Sequence, residues 1–398
     1  MKWETVKLGD ITDYITDGDH QPAPKADEGI HFIKIKDIDG NTISFAAGMY
    51  VPNEYYDKLP KNRKPVKNDI LYTVVGSYGI PAYVNTSECF CFERNIALLH
   101  PNEKVLPRFL FYSLKNPTFY QMVDNIANGS AQKLIPLSKL SGLQIKLPPL
   151  PQQNIIVSIL SAYDDLIENN QKQIKLLEEA AQRLYKEWFI DLRFPGHEST
   201  PIHDGLPEGW EKSCIDSHIT LYSGFAFKST AFSDEGQYKI VTIKNVKDAQ
   251  FIGDNVSYIK EIPTQMPDHC KLSDGDILLS LTGNVGRVCL VFGEKYLLNQ
   301  RVAKIYSSFP GFTYCLFRSK DIFDAMKNLA NGAAQQNLSP VRTGKLEALF
   351  PRLEIAKQFE KIVVPMLQKI VLLNKEKVSA AHARDRLLPK LMSGEFEV

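Results

Sequence analysis

Apolar and polar positions along this chain fall into two textures. Short runs rich in β-branched and aromatic residues occupy 31–38, 70–75 and 95–99, and again 239–246, 277–281 and 301–306. Gly, Asn, Asp and Pro punctuate them, which is the pattern of strands closed by turns. Helical spacing appears at 107–115 and 118–127. This texture predicts α+β domains, each built around a curved sheet. The second texture is longer. From Pro151, the residues Ile156, Ile159, Tyr163, Leu166, Asn170, Leu177, Ala180 and Leu184 recur at three- and four-residue steps. The opposite face carries Asp164, Asp165, Glu168, Lys172, Lys175, Glu178, Glu179 and Lys186. That predicts an amphipathic helix with a heptad seam, opened by Pro151 and stopped by Pro195-Gly196. Unbroken, it would be about 60 Å long. Phe359, Val363, Met366, Ile370, Leu373, Ala380, Arg384, Leu387 and Leu391 predict a second such helix. Pro365 falls inside it and is expected to kink it or to mark its true start.

Neither stripe can stay exposed, so the two helices are expected to bury them against each other. Asn170 and Asn374 occupy matching places. They either sit in the seam, where a polar residue fixes register, or just off it in solvent. The rest of the chain repeats too. Ile33-Lys34-Ile35-Lys36-Asp37-Ile38 returns as Val241-Thr242-Ile243-Lys244-Asn245-Val246. Asp69-Ile70-Leu71 with Gly76 and Gly79 returns as Asp276-Ile277-Leu278 with Gly283 and Gly286. Ala127–Gln132 returns as Ala330–Gln335, and Trp3-Glu4 as Trp210-Glu211. A repeat of roughly 205 residues is a whole domain rather than a solenoid unit. The expected fold class is therefore α+β: two tandem similar domains, each followed by a long helix, the helices pairing as an antiparallel coiled coil with pseudo-twofold symmetry. The expected boundaries are 1–150, 151–193 for the central helix, 194–350, and 351–398 for the second helix and tail.

Composition narrows the class. The chain has 398 residues and a formal charge of +1, whereas nucleic-acid readers are usually basic. The six cysteines form no CxxC pair and no zinc-type spacing with histidine. Met1-Lys2-Trp3-Glu4 opens no apolar leader, and no apolar run is long enough to span a bilayer. The expectation is a soluble, reduced, cytoplasmic protein with no membrane contact. Catalytic motifs are sparse. Asn116-Pro117-Thr118-Phe119 lacks the second proline of an amino-methyltransferase element, and the glycine turns lack the Gly-Lys-Ser/Thr of a P-loop. Pro267-Asp268 has no acidic-x-Lys at nuclease spacing, and the eight histidines are scattered. No catalytic residue, cofactor or metal site is expected, which favours a binding protein.

Leu147-Pro148-Pro149-Leu150-Pro151-Gln152-Gln153-Asn154-Ile155-Ile156-Val157-Ser158-Ile159-Leu160 resembles the entry to the central helix of the specificity (S) subunits of type I restriction–modification enzymes. Leu184-Tyr185-Lys186-Glu187-Trp188-Phe189 is similar to that family's helix end, and Arg386-Leu387-Leu388-Pro389-Lys390-Leu391-Met392-Ser393-Gly394-Glu395 to its ending. The Gly-Ser/Ala-Ala-Gln elements at 129–132 and 332–335 match as well. Phe350-Pro351-Arg352-Leu353-Glu354 departs, lacking the double proline and double glutamine. The resemblance implies two target recognition domains, each reading half of a split sequence in double-stranded DNA. It implies helices that set the spacer and dock two methyltransferase subunits, with motor-nuclease subunits joining for restriction. Adenine methylation and ATP-dependent cleavage would belong to those partners. The alternative is a non-catalytic scaffold with twin ligand-binding domains on a helical rod.

Base reading needs Arg or Lys for guanine, Asn or Gln for adenine, and Ser or Thr for either. Phosphate contact needs cations and free backbone N–H groups. Three repeated elements offer these types. The glycine turns carry Ser77 and Tyr78 in one copy and Asn284 and Arg287 in the other. The loops at 128–133 and 331–337 carry Ser130, Gln132, Lys133, Gln335, Gln336 and Asn337. The runs above place Lys34, Lys36, Thr242, Lys244 and Asn245 in alternation along a strand. Ordinary turns, solvated loops and a solvated sheet face are the bland alternatives. Lys58, Lys61, Arg63, Lys64 and Lys67 form the densest basic cluster, a phosphate contact or a solvated face. Partner contact is expected on the helices at Leu166, Leu177, Leu184, Trp188, Ile370, Leu373 and Leu387.

Overall fold

The computed structural model describes residues 3–46, 48–127, 133–254, 256–330 and 337–396. The chain divides into two compact units, Met1–Asp165 with Ala380–Val398, and Leu166–Ser379.

In the first unit, Thr12–Asp17, Ile96–Pro101, Ile70–Thr73 and Pro81–Tyr83 form a four-stranded antiparallel sheet in that order. A second sheet sets Ile30–Ile33 between Met49–Val51, antiparallel, and Phe90–Phe92, parallel. Glu4–Lys7 pairs with Gln144–Leu147. Ile70, Leu71, Tyr72 and Thr73 are all buried, so this strand is covered on both faces. Two helices, Pro107–Lys115 and Pro117–Ile126, pack on the core through Phe109, Leu110, Phe119 and Val123. Both begin on a proline, whose missing N–H costs nothing in a first turn. Asn116 separates them, its Oδ1 accepting from the Thr118 N–H at 3.1 Å.

The second unit repeats this topology. Thr220–Ser223, Val302–Tyr306, Ile277–Ser280 and Val288–Leu290 form the antiparallel sheet. Tyr238–Val241 and Tyr296–Leu298 form the parallel pair, flanked by Ser257–Ile259 and Lys271–Leu272. Glu211–Cys214 pairs with Glu347–Phe350. The sequence repeat is thus a repeat of strand order and of strand sense, with Lys271–Leu272 added at one edge in the second unit.

One expectation is corrected in both copies. The runs 31–38 and 239–246 are not continuous strands. The strands stop at Ile33 and Val241, and 3-10 turns follow at Ile35–Asp37 and Ile243–Asn245. The cause is a side chain that competes for the backbone. Asp37 Oδ2 accepts the Lys34 N–H at 3.0 Å, and Asn245 Oδ1 accepts the Thr242 N–H at 2.8 Å. Lys34, Lys36, Lys244 and Asn245 therefore do not alternate along a strand.

The long helices span Leu150–Tyr185, continued by a wider turn at Lys186–Ile190, and Leu353–Ser393. The second passes through Pro365 and starts twelve residues before it. Within the first unit, Arg384 meets Asp164 at 2.6 Å, and Ile156 and Leu160 share a core with Leu388, Leu391 and Met392. Within the second, Asn170 donates to Glu376 at 2.8 Å and Lys377 to Gln171 at 2.7 Å, while Tyr185 approaches Phe359. Rising numbers on one helix meet falling numbers on the other, so the helices pair antiparallel in each unit.

Asn170 settles into the seam, 1% exposed, while Asn374 is half-buried and donates to Ile370 O of its own helix. Beyond Asn170 the buried positions are Ile174, Glu178, Ala181 and Tyr185; of the expected seam residues Leu177 and Leu184 are half-buried and Ala180 is exposed, and Glu178, expected on the opposite face, is enclosed. The buried stripe shifts because the helix Pro310–Phe317 packs against it: Tyr185 lies 5.7 Å from Phe312 between ring centroids. The same helix explains why a carboxylate can sit there. Glu178 accepts from the Tyr314 hydroxyl at 2.7 Å and pairs with the Arg318 guanidinium. The first unit has a matching bracket, in which Asp164 accepts from Tyr112 and Arg384.

Candidate nucleic-acid interface

The two glycine turns are built alike. Gly76, Gly79, Gly283 and Gly286 all have φ between +70° and +83°, a region open to glycine at little cost. A side chain on Gly79 would also run into the Tyr120 ring, 2.6 Å from an ideal Cβ. Each turn is stitched to the segment that follows the Ala-Asn-Gly loop. Ile135 N donates to Val74 O at 2.9 Å, and Leu338 N to Leu281 O at 2.7 Å. Val75 bridges to Leu134 and Thr282 to Asn337. Two elements that the sequence places more than 50 residues apart therefore form one surface in each unit.

On that surface Ser77 is exposed, Tyr78 half-buried and Lys133 exposed. Lys133 Nζ lies 2.7 Å from Asp124 Oδ1 and 3.1 Å from the Tyr78 hydroxyl, which itself donates to Asp124. The ammonium, then the hydroxyl, hold Asp124 below the usual carboxylate range, and Asp124 holds Lys133 well above the usual lysine value. A phosphate would have to compete with this pair for the cation. In the second unit Asn284 and Asn337 are exposed and Arg287 is half-buried. Lys36 and Lys244 are exposed at matching turn positions, and Lys34 is half-buried. Asn245 is 2% exposed, and its amide is committed to Thr242 and to Ile252 O at 2.8 Å. Its role is to hold the turn. Ser130, Gln132, Gln335 and Gln336 lie outside the described residues. In the basic cluster, Arg63 is paired with Asp17 and Asp19 at 3.5 and 3.3 Å, and Lys64 lies over the Tyr56 ring.

A hollow of about 790 Å³ opens in the second unit between the glycine turn and the strand Thr220–Ser223, lined by Thr282, Gly283, Asn337 and Ser223. A smaller one of about 400 Å³ runs along Thr242 and Lys244. Ile243, Gln300 and Arg301 line both. Gln300 and Arg301 are not among the residues expected from the sequence. The signal for them was the matched segment Glu93-Arg94-Asn95-Ile96 and Asn299-Gln300-Arg301-Val302, which precedes equivalent strands.

The sequence profile described as "Type I restriction modification DNA specificity domain" matches residues 1–179 and again 207–379. The chain belongs to that family. It is a type I restriction–modification specificity subunit, a DNA-recognition component. Among relatives of this subunit, the MjaVIII specificity subunit of Methanocaldococcus jannaschii is 25% identical, covering 100% of this chain and 93% of its own length. The MjaIX specificity subunit of the same organism is 27% identical over 75% of this chain and 71% of its own. A crystal structure of an S subunit from M. genitalium shares the fold, with a TM-score of 0.63 at 18% identity over 98% of this chain and 96% of that one.

The helix residues expected to meet partner subunits sit mostly in this subunit's own core. Trp188, Ile370 and Leu373 are buried, and Leu166, Leu177, Leu184 and Leu387 are half-buried. Trp188 packs on Phe359 at 5.6 Å between centroids. The large apolar side chains that the helix pair leaves in the open include Leu176 and Leu372, 64% and 59% exposed. Among the described residues, no helix is long and apolar enough to cross a membrane.

Proposed function

We propose that this specificity subunit reads a two-part DNA target, one half with each domain. The observation that carries the proposal is a frame built twice with different side chains on it. The strand order, the 3-10 turn and the glycine turn recur, while Ser77 and Tyr78 are exchanged for Asn284 and Val285, and Lys34 for Thr242. A common frame carrying unlike side chains, with Ser77 and Asn284 exposed at the matching turn position, suits unlike half-sites on one duplex. The groups proposed to face DNA are Lys34, Lys36, Ser77, Tyr78, Ser130, Gln132, Lys133, Lys244, Asn284, Arg287, Gln335, Gln336 and Asn337.

The paired helices set the spacer between half-sites and dock two methyltransferase subunits, with motor-nuclease subunits joining for cleavage. This chain contributes recognition, and its partners contribute the chemistry. Leu176 and Leu372 are the apolar positions on the helices best placed for such docking, because the seam residues are enclosed.

The test is co-expression with the cognate methyltransferase in a host without its own adenine methylation, followed by genome-wide mapping of methylated bases. The expected result is a two-part motif with a fixed gap. A stable complex that carries cofactor and methylates nothing would refute the proposal.

A further inference from the structure

The turn that closes the parallel strand pair is built identically in both units. In the first unit, Ile96 N donates to Glu93 O at 3.1 Å, Glu93 N to Ile33 O at 3.0 Å, and Val74 N to Asn95 O at 2.9 Å. In the second, Val302 N donates to Asn299 O at 2.9 Å, Asn299 N to Val241 O at 3.1 Å, and Leu281 N to Arg301 O at 3.0 Å. Residues 94–95 and 300–301 are thus the two central positions of the same β-turn. A glycine backs each turn. An ideal Cβ on Gly18 would lie 2.3 Å from Phe92 O, and one on Gly224 would lie 2.2 Å from Asn299 O. Those contacts admit only glycine, so the turn is clamped from behind and its tip side chains project from a fixed base.

The clamped tips carry Arg94-Asn95 and Gln300-Arg301. Each presents one guanidinium and one carboxamide, in opposite order. These are the two groups that read guanine and adenine by paired hydrogen bonds. Arg94, Gln300 and Arg301 are exposed, and Asn95 is half-buried. Among the described residues neither arginine has a carboxylate partner, unlike Arg63 and Arg318. Gln300 and Arg301 line both hollows of the second unit, with Thr242 and Lys244 on one side and Thr282 and Asn337 on the other. The cations and amides that the repeated motifs supply are therefore arranged around this tip.

We infer that the tip is the base-reading element of each domain, with Arg301 pairing a guanine in one half-site and Arg94 a guanine in the other. The inference rests on the DNA-reading function proposed above. A rigid mount favours base reading over phosphate contact, because a bidentate pair demands a fixed donor direction whereas a phosphate accepts a flexible cation.

The experiment uses the complex of this chain with its methyltransferase and a pool of duplexes randomised in sequence. Bound duplexes are selected at two salt concentrations with the wild type, Arg301→Lys, Arg301→Gln and Arg94→Lys. Lysine keeps the charge and loses the planar fork. Arg301→Lys is expected to lose discrimination at one guanine by about ten- to a hundredfold, with every other position and the salt slope unchanged. Arg94→Lys is expected to do the same in the other half-site. The half-site left intact in each variant reports that the protein has folded. A wild-type two-part sequence that both lysine variants also select would overturn the inference and leave the proposed function standing. So would a uniform loss of affinity in Arg301→Gln with a shallower salt slope, which marks a phosphate contact. A wild type that selects no sequence would overturn both.

Discussion

Within the second unit, the buried bracket of Glu178, Tyr314 and Arg318 ties the first long helix to the helix Pro310–Phe317 and the residue after it, and its removal has a calculable consequence. The Glu178 and Arg318 side chains are 9% and 11% exposed. Arg318→Met fills a similar volume and leaves Glu178 with the Tyr314 hydroxyl alone. Breaking a buried pair from one side costs about 3–5 kcal/mol, since the remaining charge is enclosed without a counter-ion. For a unit of about 200 residues this corresponds to roughly 6–20 °C in the melting temperature. The loss also depends on pH. Burial already lifts Glu178 above the usual glutamate value, and Arg318 opposes that lift. Without Arg318 the carboxyl rises further. A group whose pKa is raised by folding stabilises the fold when protonated and loses that contribution as pH climbs through the folded value. The deficit of Arg318→Met should therefore be greatest near about pH 8 and shrink as pH falls toward about 5. Glu178→Gln combined with Arg318→Met should recover most of the loss at neutral pH. The assay is guanidinium unfolding followed by tryptophan fluorescence, because Trp188 and Trp210 are both buried in this unit. A deficit under about 1 kcal/mol, or one that does not change with pH, would refute the electrostatic account.

Two further outcomes are expected. Asn245→Ala removes the acceptor for Thr242 N–H and the donor to Ile252 O in a buried site. It should cost about 1–3 kcal/mol in denaturant unfolding and leave the methylated motif unchanged in base identity; a changed base with unchanged stability would return Asn245 to the DNA surface. Asn170→Leu replaces the buried amide in the seam while Glu376 remains exposed to water. It should be neutral or stabilising in thermal unfolding and should broaden the distribution of oligomeric states in sedimentation, since the polar pair specifies how the helices align; a loss above about 2 kcal/mol would mean that the amide chiefly stabilises.

The architecture was legible because duplication writes the frame twice. Residues kept in both copies are those that hold backbone: Gly76 with Gly283, Asp37 with Asn245, and Asp69 with Asp276, whose carboxylates accept Val66 N and Ser273 N at 2.8 Å each. Repetition therefore marks scaffold more than DNA contact. Asn245 sits in a repeated motif because it holds the turn, and it is buried for the same reason. Arg301 stands opposite Asn95, so the repeat marks the place of the turn, through Glu93–Ile96 and Asn299–Val302, and leaves the identity of its tip side chains unmarked. The periodicity places Ile156 in the seam, and the packing decides the alternatives for Asn170 in favour of the seam and draws Asp164 off the polar face to Tyr112 and Arg384. Beyond Asn170, Pro310–Phe317 covers a second face, and periodicity along one helix carries no information about a neighbour that packs from the side.

The distribution of charge bears on how such a chain meets DNA. Its formal charge is +1, and several cations near the candidate surface are already engaged. Lys133 is held by Asp124, Arg63 by Asp17 and Asp19, and Lys304 by Asp276 at 2.8 Å. Each engaged cation adds little to long-range attraction, because its carboxylate cancels the field beyond about a Debye length. Non-specific affinity for a duplex scales with the phosphates neutralised, and cations already paired contribute little to it. Arg94, Arg301, Lys36 and Lys244 are exposed, and among the described residues they have no carboxylate partner. Under the proposed function, the methyltransferase adds positive surface for capture, and sequence choice depends on side chains such as Arg94 and Arg301 that are held by no carboxylate among the described residues. That division explains why a DNA reader can be nearly neutral: a subunit that bound every duplex tightly on its own would occupy non-specific sites, and the small base-pair preferences of two half-sites would be lost among them.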